Sequence, residues 1–397
     1  MRITPAAELE ARCGKLQALM AAQGLDAVIV AQNADLFYLT GTTQSGNLYL
    51  PVEGRPLYLV RRDIGRARRE SELSEVIPFG SMRDIPRILA EYGLPLPKAI
   101  GMELDVLPVS LFERYRKVFP ETRIGDATPL IRTVRMCKSP YEVAIARDAA
   151  RQVDAVYRRV RAVLREGMSD LELAAELEYV ARREGHPGMT RMRGFNSEFA
   201  IGHTFSGADS AVPAYSDTPL GGAGLSPSFG QGAGSRIVGR HEPVIFDFTG
   251  SVDGYLVDQT RMFAIGSVSD RLRKGFDDMC AIQERMKEVA VPGASWGAVY
   301  DSCRGLAASM GYADSFMGAA GAQVSFIGHG VGIELDEYPF IARGFSDMHL
   351  QPGMVFAFEP KLVFPGEGAV GIENTFYIEE DGALQQLTFS DESFVIL

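Results

Sequence analysis

A two-domain α/β chain is the architecture this sequence predicts, on three observations. Its 397 residues exceed what one ordinary hydrophobic core serves, so two domains are the natural division. With 46% hydrophobic and 23% charged residues, the composition is globular and can fill both cores. The apolar periodicity alternates between helix and strand in the first third, then gives two long helices and a strand-rich remainder. The expected division is an α/β domain over residues 1–132 and a mixed α and β domain over 133–397.

The elements follow in order. Residues 6–23 carry helical periodicity, and Gly24 ends them before the buried strand LDAVIV at 25–30. LYLPVEGRPLYLV and AIGMELD continue a strand-rich pattern. Residues 131–140, IRTVRMCKSP, are charged and end in Ser-Pro, and read as the linker. Ser139 or Pro140 opens a long helix over 141–165, broken at Gly167, and a second helix over 169–184 stops at Gly185. Beyond residue 240 the pattern becomes strands, with helices at about 269–290 and 295–311. The segment GGAGLSPSFGQGAG at 221–234 lacks a Gly-Lys-Ser/Thr ending and does not run from strand to helix, so it is no phosphate loop. It reads as a surface loop or as an insertion lining a cleft.

Composition excludes several function classes. Net charge is −11 with no long basic run, which argues against nucleic acid as a partner. The arginine-rich stretch at 61–69 is punctuated by Asp63 and followed by Glu70, as on a solvated face. There is no apolar stretch of 18 or more residues and no secretory signal, so no membrane partner is expected and a soluble cytoplasmic protein is. Cys13, Cys137, Cys280 and Cys303 show no CxxC spacing and read as reduced thiols.

The chemistry concentrates in four motifs of the last 150 residues. In VIFDFTGSVDGYLVDQTRMFAIG, apolar runs flank the turn signal Asp253-Gly254, which predicts a β-hairpin. Asp247 and Asp258 are 11 apart, an odd separation that puts both side chains on one face of an even-loop hairpin. His329 stands in FIGHGVGIELDEYP between Gly328 and Gly330, where glycine lets backbone approach closely. Glu359 and Glu373 each interrupt an apolar run, which is costly unless the acid is paired or holds a metal. Four carboxylates and one imidazole can hold two divalent ions, with shared carboxylates bridging them.

On these motifs the chain resembles the pita-bread metallopeptidase family, which includes aminopeptidase P, prolidase, methionine aminopeptidase and creatinase. The resemblance covers nearly the whole chain. It implies a creatinase-type N-terminal domain followed by a pita-bread catalytic domain with a pseudo-twofold arrangement. It also implies Asp247, Asp258, His329, Glu359 and Glu373 as metal ligands, with Glu359 doubling as general base. The cofactors it implies are two divalent metal ions: manganese first, with cobalt, zinc or iron as alternatives. The expected reaction is that of a dinuclear metal-dependent hydrolase of the Xaa-Pro aminopeptidase/prolidase type, in which a bridging water attacks an amide carbonyl. The expected partners are a small peptide or small-molecule substrate and a second copy of the chain in a homodimer.

Three positions depart from the family pattern. Peptide-cleaving members carry histidine seven residues after the ligand histidine, where this chain has Asp336, and seven after the glycine of Ser206-Gly207, where it has Ala214. Many members carry arginine two before the last glutamate, where this chain has Gly371. Asp336 is therefore a candidate catalytic residue, as a holder of a cationic substrate group or an extra ligand, on a rim that Glu334 and Glu337 make more acidic. His203 is a candidate stand-in for the missing imidazole, against an ordinary core role. Arg191 and Arg193 are candidates for a substrate carboxylate, against ordinary salt bridges. The alternative readings are a creatinase-like hydrolase or lyase of a small non-peptide substrate, and a metal-stabilised binding protein without turnover.

Overall fold

The computed structural model describes residues 2–397. They divide into two compact units, the first running to Arg135 and taking in Gly194–Asn196, the second comprising Met136–Arg193 and Ser197–Leu397.

In the first unit, helices α1 (Ala6–Ala22), α2 (Asn33–Thr40), α3 (Ile64–Glu70), α4 (Ile85–Glu91), α5 (Val109–Val118) and α6 (Thr128–Met136) surround a six-stranded sheet. Its strands are β1 (Ala27–Val30), β2 (Gly46–Pro51), β3 (Leu57–Val60), β4 (Val76–Pro78), β5 (Ala99–Met102) and β6 (Arg123–Asp126), in the order β4-β3-β2-β1-β5-β6. β2 runs antiparallel to both its neighbours, and the other pairings are parallel. The four residues of β1 are all buried, as its continuous apolar run requires. Ile29, Leu59 and Ile100 pack with Ile85, Ile88 and Tyr115 in one core. The linker expected over 131–140 is mostly helix instead. α6 runs to Met136, with Ile131 and Val134, three residues apart, buried on one face.

The second unit opens with α7 (Pro140–Val163) and α8 (Asp170–Arg183). Ser139 caps α7 in a reciprocal box with Glu142, and Pro140 takes the first helical turn, where its missing N–H costs nothing. β7 (Gly202–Ser206), β8 (Val244–Val252) and β9 (Tyr255–Ala264) follow, then α9 (Asp270–Val289) and α10 (Trp296–Ser309). The remaining strands are β10 (Phe326–Val331), β11 (Leu335–Ala342), β12 (Val355–Phe358), β13 (Lys361–Phe364), β14 (Gly368–Gly371), β15 (Asn374–Ile378), β16 (Leu384–Gln386) and β17 (Val395–Ile396). They form a four-stranded sheet β17-β9-β8-β7, a five-stranded sheet β11-β10-β12-β15-β16 and the hairpin β13-β14.

Two apolar cores hold this unit together. One joins α7 and α8 to the faces of β8 and β9, and the other gathers α9 and α10 against β12 to β15. α7 crosses β8 so closely that a Cβ on Gly250 would stand 2.2 Å from the Ala149 carbonyl oxygen, so only glycine fits there.

Candidate metal centre

The hairpin β8–β9 turns through Asp253 and Gly254, both at positive φ, the geometry a two-residue connection of twisted strands demands. Its register sets Asp258 opposite Thr249, and Thr249 shares a face with Asp247. Both aspartates therefore point the same way, while Phe248 and Val257 enter the apolar core behind them.

His329 lies on β10 between two strands. A Cβ on Gly328 would meet the Ala357 carbonyl oxygen at 2.5 Å, and one on Gly330 would meet that of Tyr338 at 2.2 Å. Glycines on the opposite face thus let both neighbouring strands close against β10, which holds the imidazole on a rigid base. Glu359 follows β12, its N–H donating to the Ile327 carbonyl at 2.8 Å. Glu373 stands between β14 and β15, where Arg261 clamps its backbone. That guanidinium donates to the carbonyls of Glu373 (2.7 Å), Thr260 (2.8 Å) and Ser390 (3.0 and 3.2 Å), and to Asn374 Oδ1 (2.7 Å).

These residues converge. One ligand atom each from Asp258, His329 and Glu373 lies within 4.8 Å of the others. His329 Nε2 is 3.6 Å from Glu359 Oε1 and 3.9 Å from Glu373 Oε1. Glu373 Oε2 accepts from the Thr260 hydroxyl at 2.7 Å, whereas Oε1 is buried with no hydrogen-bond partner. An orphaned carboxylate oxygen facing an imidazole nitrogen is expensive to bury, and a divalent ion relieves that cost. Two carboxylates and one imidazole form a suitable donor set for such an ion.

The electrostatics agree with an acid excess. Burial, reinforced by Glu373 and Asp247, raises Asp258 well above the usual aspartate range. Burial also raises Asp247 and takes Glu359 up to about 7, in both cases against the pull of Lys361. For His329 burial disfavours the imidazolium, but Asp336, Glu359 and Glu373 outweigh it and raise the pKa.

Lys361 is a component that motif reading overlooks. Its ammonium donates to Glu359 Oε2, to Glu373 Oε2 at 3.1 Å and to Asp247 Oδ2 at 3.3 Å. Burial works against its charge, but the three carboxylates outweigh it and hold the pKa well above that of ordinary lysine. The available signal is its spacing: Glu359 and Lys361 are two apart in an extended run, so both face one side.

The other candidate residues fall in varied places. Asp336 comes within 3.4 Å of His329 Nδ1, the ring nitrogen away from the acid cluster. His203 is opposite Asp247 in the β7–β8 register, between Phe199 and Phe205, with Nε2 3.3 Å from Gln231 Nε2. Burial pushes its pKa down to about 4, so the ring is neutral near pH 7. Glu334 and Glu337 do not form an acidic rim. Both are buried, Glu334 with Arg193 at 3.5 Å and Glu337 with Lys138 at 3.0 Å, because an acid folded under this strand is retained only with a cation beside it. Arg193 is correspondingly engaged, and the Arg191 carbonyl accepts from the Leu335 N–H at 2.8 Å. The glycine-rich segment is tied down by Gly222 N–H to the Val212 carbonyl, Gly224 N–H to that of Gly232 and Gly232 N–H to that of Gly221. It delivers Gln231 to His203.

The match to known proteins is extensive. The profile of Metallopeptidase family M24 covers residues 144–380, and that of the Creatinase/Prolidase N-terminal domain covers 12–137. The chain belongs to metallopeptidase family M24. Membership makes this M24 protein a metallohydrolase with the two-domain architecture expected above, and it implies divalent metal ions. The chain is 27% identical over 377 residues to an Xaa-Pro dipeptidase of Pyrococcus furiosus, covering 94% of this chain and 97% of that one. An Xaa-Pro dipeptidase structure from Bacillus anthracis superposes with a TM-score of 0.82 at 23% identity, covering 98% of this chain and 100% of that one. The prolidase structure from Pyrococcus horikoshii gives 0.80 at 24% identity, covering 97% and 99%. At these identities the two structures attest the shared M24 fold.

Proposed function

We propose that this protein is a divalent-metal-dependent hydrolase of short peptides, of the Xaa-Pro dipeptidase type. The observation that carries the reading is the partnerless Glu373 Oε1, buried beside His329 Nε2 and Asp258. A divalent ion held there would supply Lewis acidity, enough to polarise a substrate carbonyl and to lower the pKa of a water toward neutral. Manganese is the first ion to test, because carboxylate-rich ligation with one imidazole suits hard to borderline ions.

The protein's own groups then have distinct tasks. Asp258, His329 and Glu373 hold the ion. His329 Nδ1 faces the Gly330 carbonyl at 3.3 Å and the Asp336 carboxylate at 3.4 Å, and these acceptors favour the Nδ1–H tautomer whose Nε2 lone pair faces the acid cluster. Lys361 occupies Glu359 Oε2, so Oε1 is the oxygen left to take a proton from the attacking water and pass it to the leaving nitrogen. His203, neutral and packed beside Asp247, positions that carboxylate. The homodimer implied by the family belongs to the same reading, and light scattering on the purified protein checks it.

The test is release of proline from a panel of Xaa-Pro dipeptides by the manganese-loaded enzyme, with Glu359→Gln as control. Turnover lost in the control supports the reading. Bound metal without turnover on any peptide would sink it. It would favour a small non-peptide substrate, a reading with one observation behind it: Asp336 is committed to His329 and Ala214 offers no imidazole, so neither helper histidine of the peptide-cleaving pattern has a replacement there.

A further inference from the structure

Lys361 opens β13, two residues beyond Glu359, and its side chain is 2% exposed. β13 pairs with β14 so that Lys361 faces Gly371. A Cβ on Gly371 would stand 2.6 Å from Lys361 Cγ, so the glycine is what makes room for the lysine stem. The backbone is held as well, since the Lys361 carbonyl accepts from Met317 N–H at 2.9 Å and Leu362 bridges to Phe316. The stem is thus enclosed along its length and leads only into the acid cluster.

At its end the ammonium has three N–H groups, and Asp247, Glu359 and Glu373 supply three carboxylate acceptors. A divalent ion shared by the same oxygens would lie roughly 2.0–2.2 Å from each. The ammonium stands in that volume. On the other side of Glu373, Oε1 has no partner and faces His329 and Asp258. Glu373 therefore divides the cluster into one half already filled by a cation of the chain and one half suited to an ion. Charge gives the same division. Four carboxylates against Lys361 and one divalent ion leave a single negative charge, whereas a second divalent ion would press three cationic centres around the same four acids.

We propose that this site takes a single divalent ion, held by Asp258, His329 and Glu373, and that the Lys361 ammonium permanently replaces the second ion of the two-ion arrangement. The inference rests on reading the cluster as a metal site. In it Lys361 is a positioning residue that holds Asp247, Glu359 and Glu373 in place of a metal.

The test is a count. The full-length protein is stripped with chelator, reloaded with manganese and freed of excess, and metal per chain is measured by elemental mass spectrometry. The wild type is expected to hold one ion and Lys361→Met, which keeps the stem and removes the charge, two. Anomalous diffraction from wild-type crystals is expected to show one peak, bounded by Asp258, His329 and Glu373. That map decides alone if the variant fails to fold. Two ions in the wild type, a peak among Asp247, Glu359 and Glu373, or a folded Lys361→Met that still holds one ion overturns the inference and leaves the metal reading standing. No ion in either protein overturns both.

Discussion

Asp336 sits at φ 63°, in the left-handed region that residues other than glycine rarely adopt, and this places its carboxylate beside His329 Nδ1. Asp336→Ala is expected to weaken manganese binding roughly 10- to 100-fold, the usual cost of removing a group that orients a ligating histidine. Asp336→Asn keeps an acceptor oxygen and is expected to lose less. Competition against a chromogenic chelator measures both, and equal affinity in wild type and Asp336→Ala would remove the orienting role. His186, whose Nε2 is 3.5 Å from the Thr249 hydroxyl, supplies a pH prediction. It is buried, its Nδ1 accepts from Gly188 N–H at 3.0 Å, and burial followed by nearby Arg182 lowers its pKa from 6.5 to about 4. The folded pKa lies below the unfolded one, so the unfolded chain binds the proton first as pH falls. Stability from this group is complete above about pH 6.5 and declines toward pH 4, by up to about 3 kcal/mol. His186→Asn places an amide oxygen where Nδ1 accepts and does not titrate. Its melting temperature should fall less than the wild type's between pH 6.5 and 4.5, and parallel slopes would contradict this account.

Arg261 shows how one strand serves another. From β9 it binds the carbonyls of Glu373, Thr260 and Ser390 and the side chain of Asn374, so it sets the height of β15 against the hairpin that carries Asp258. Arg261→Lys removes the planar fork and leaves several buried carbonyls short of donors. The expected loss is about 3 kcal/mol, on the scale of one strong hydrogen bond to a charged group, together with weaker metal binding as Glu373 drifts. Chemical denaturation and a metal titration read the two effects separately, and a variant with wild-type values in both would show the clamp to be idle. Ser139→Ala tests a simpler element. Loss of the reciprocal cap with Glu142 should cost about 1 kcal/mol in α7. The cap and the β8–β9 hairpin are legible in sequence because their signals are local: Ser, Pro and Glu at fixed offsets, or Asp-Gly between apolar runs. The β13–β14 pairing is not, since nothing near Lys361 announces that it will face a glycine.

At the scale of the molecule, sequence disclosed what violates a local pattern and concealed what depends on distant partners. Each expected metal residue is an acid or a histidine interrupting an apolar or glycine-rich run, and the structure brings these residues together. Glu337 looked like rim because its partner Lys138 is 199 positions away, and Lys361 meets Asp247 and Glu373 only once the chain has folded. The same distribution of charge makes a claim about stability. All the acids of the cluster lie in the second unit, where burial raises Asp247, Asp258 and Glu359, so that unit carries electrostatic strain that a divalent ion should relieve. An ion bound only by the folded state adds about 2.7 kcal/mol at a hundredfold excess over its dissociation constant. The single tryptophan makes this measurable, because Trp296 is fully buried in the core that joins α10 to the second unit's strands. Its fluorescence therefore follows unfolding of the unit that holds the site. Manganese should move the fluorescence-detected melt upward by several degrees, EDTA should return it, and Glu373→Gln should abolish the response. A melt insensitive to manganese in the wild type would mean that the acids of this cluster are stabilised without an ion.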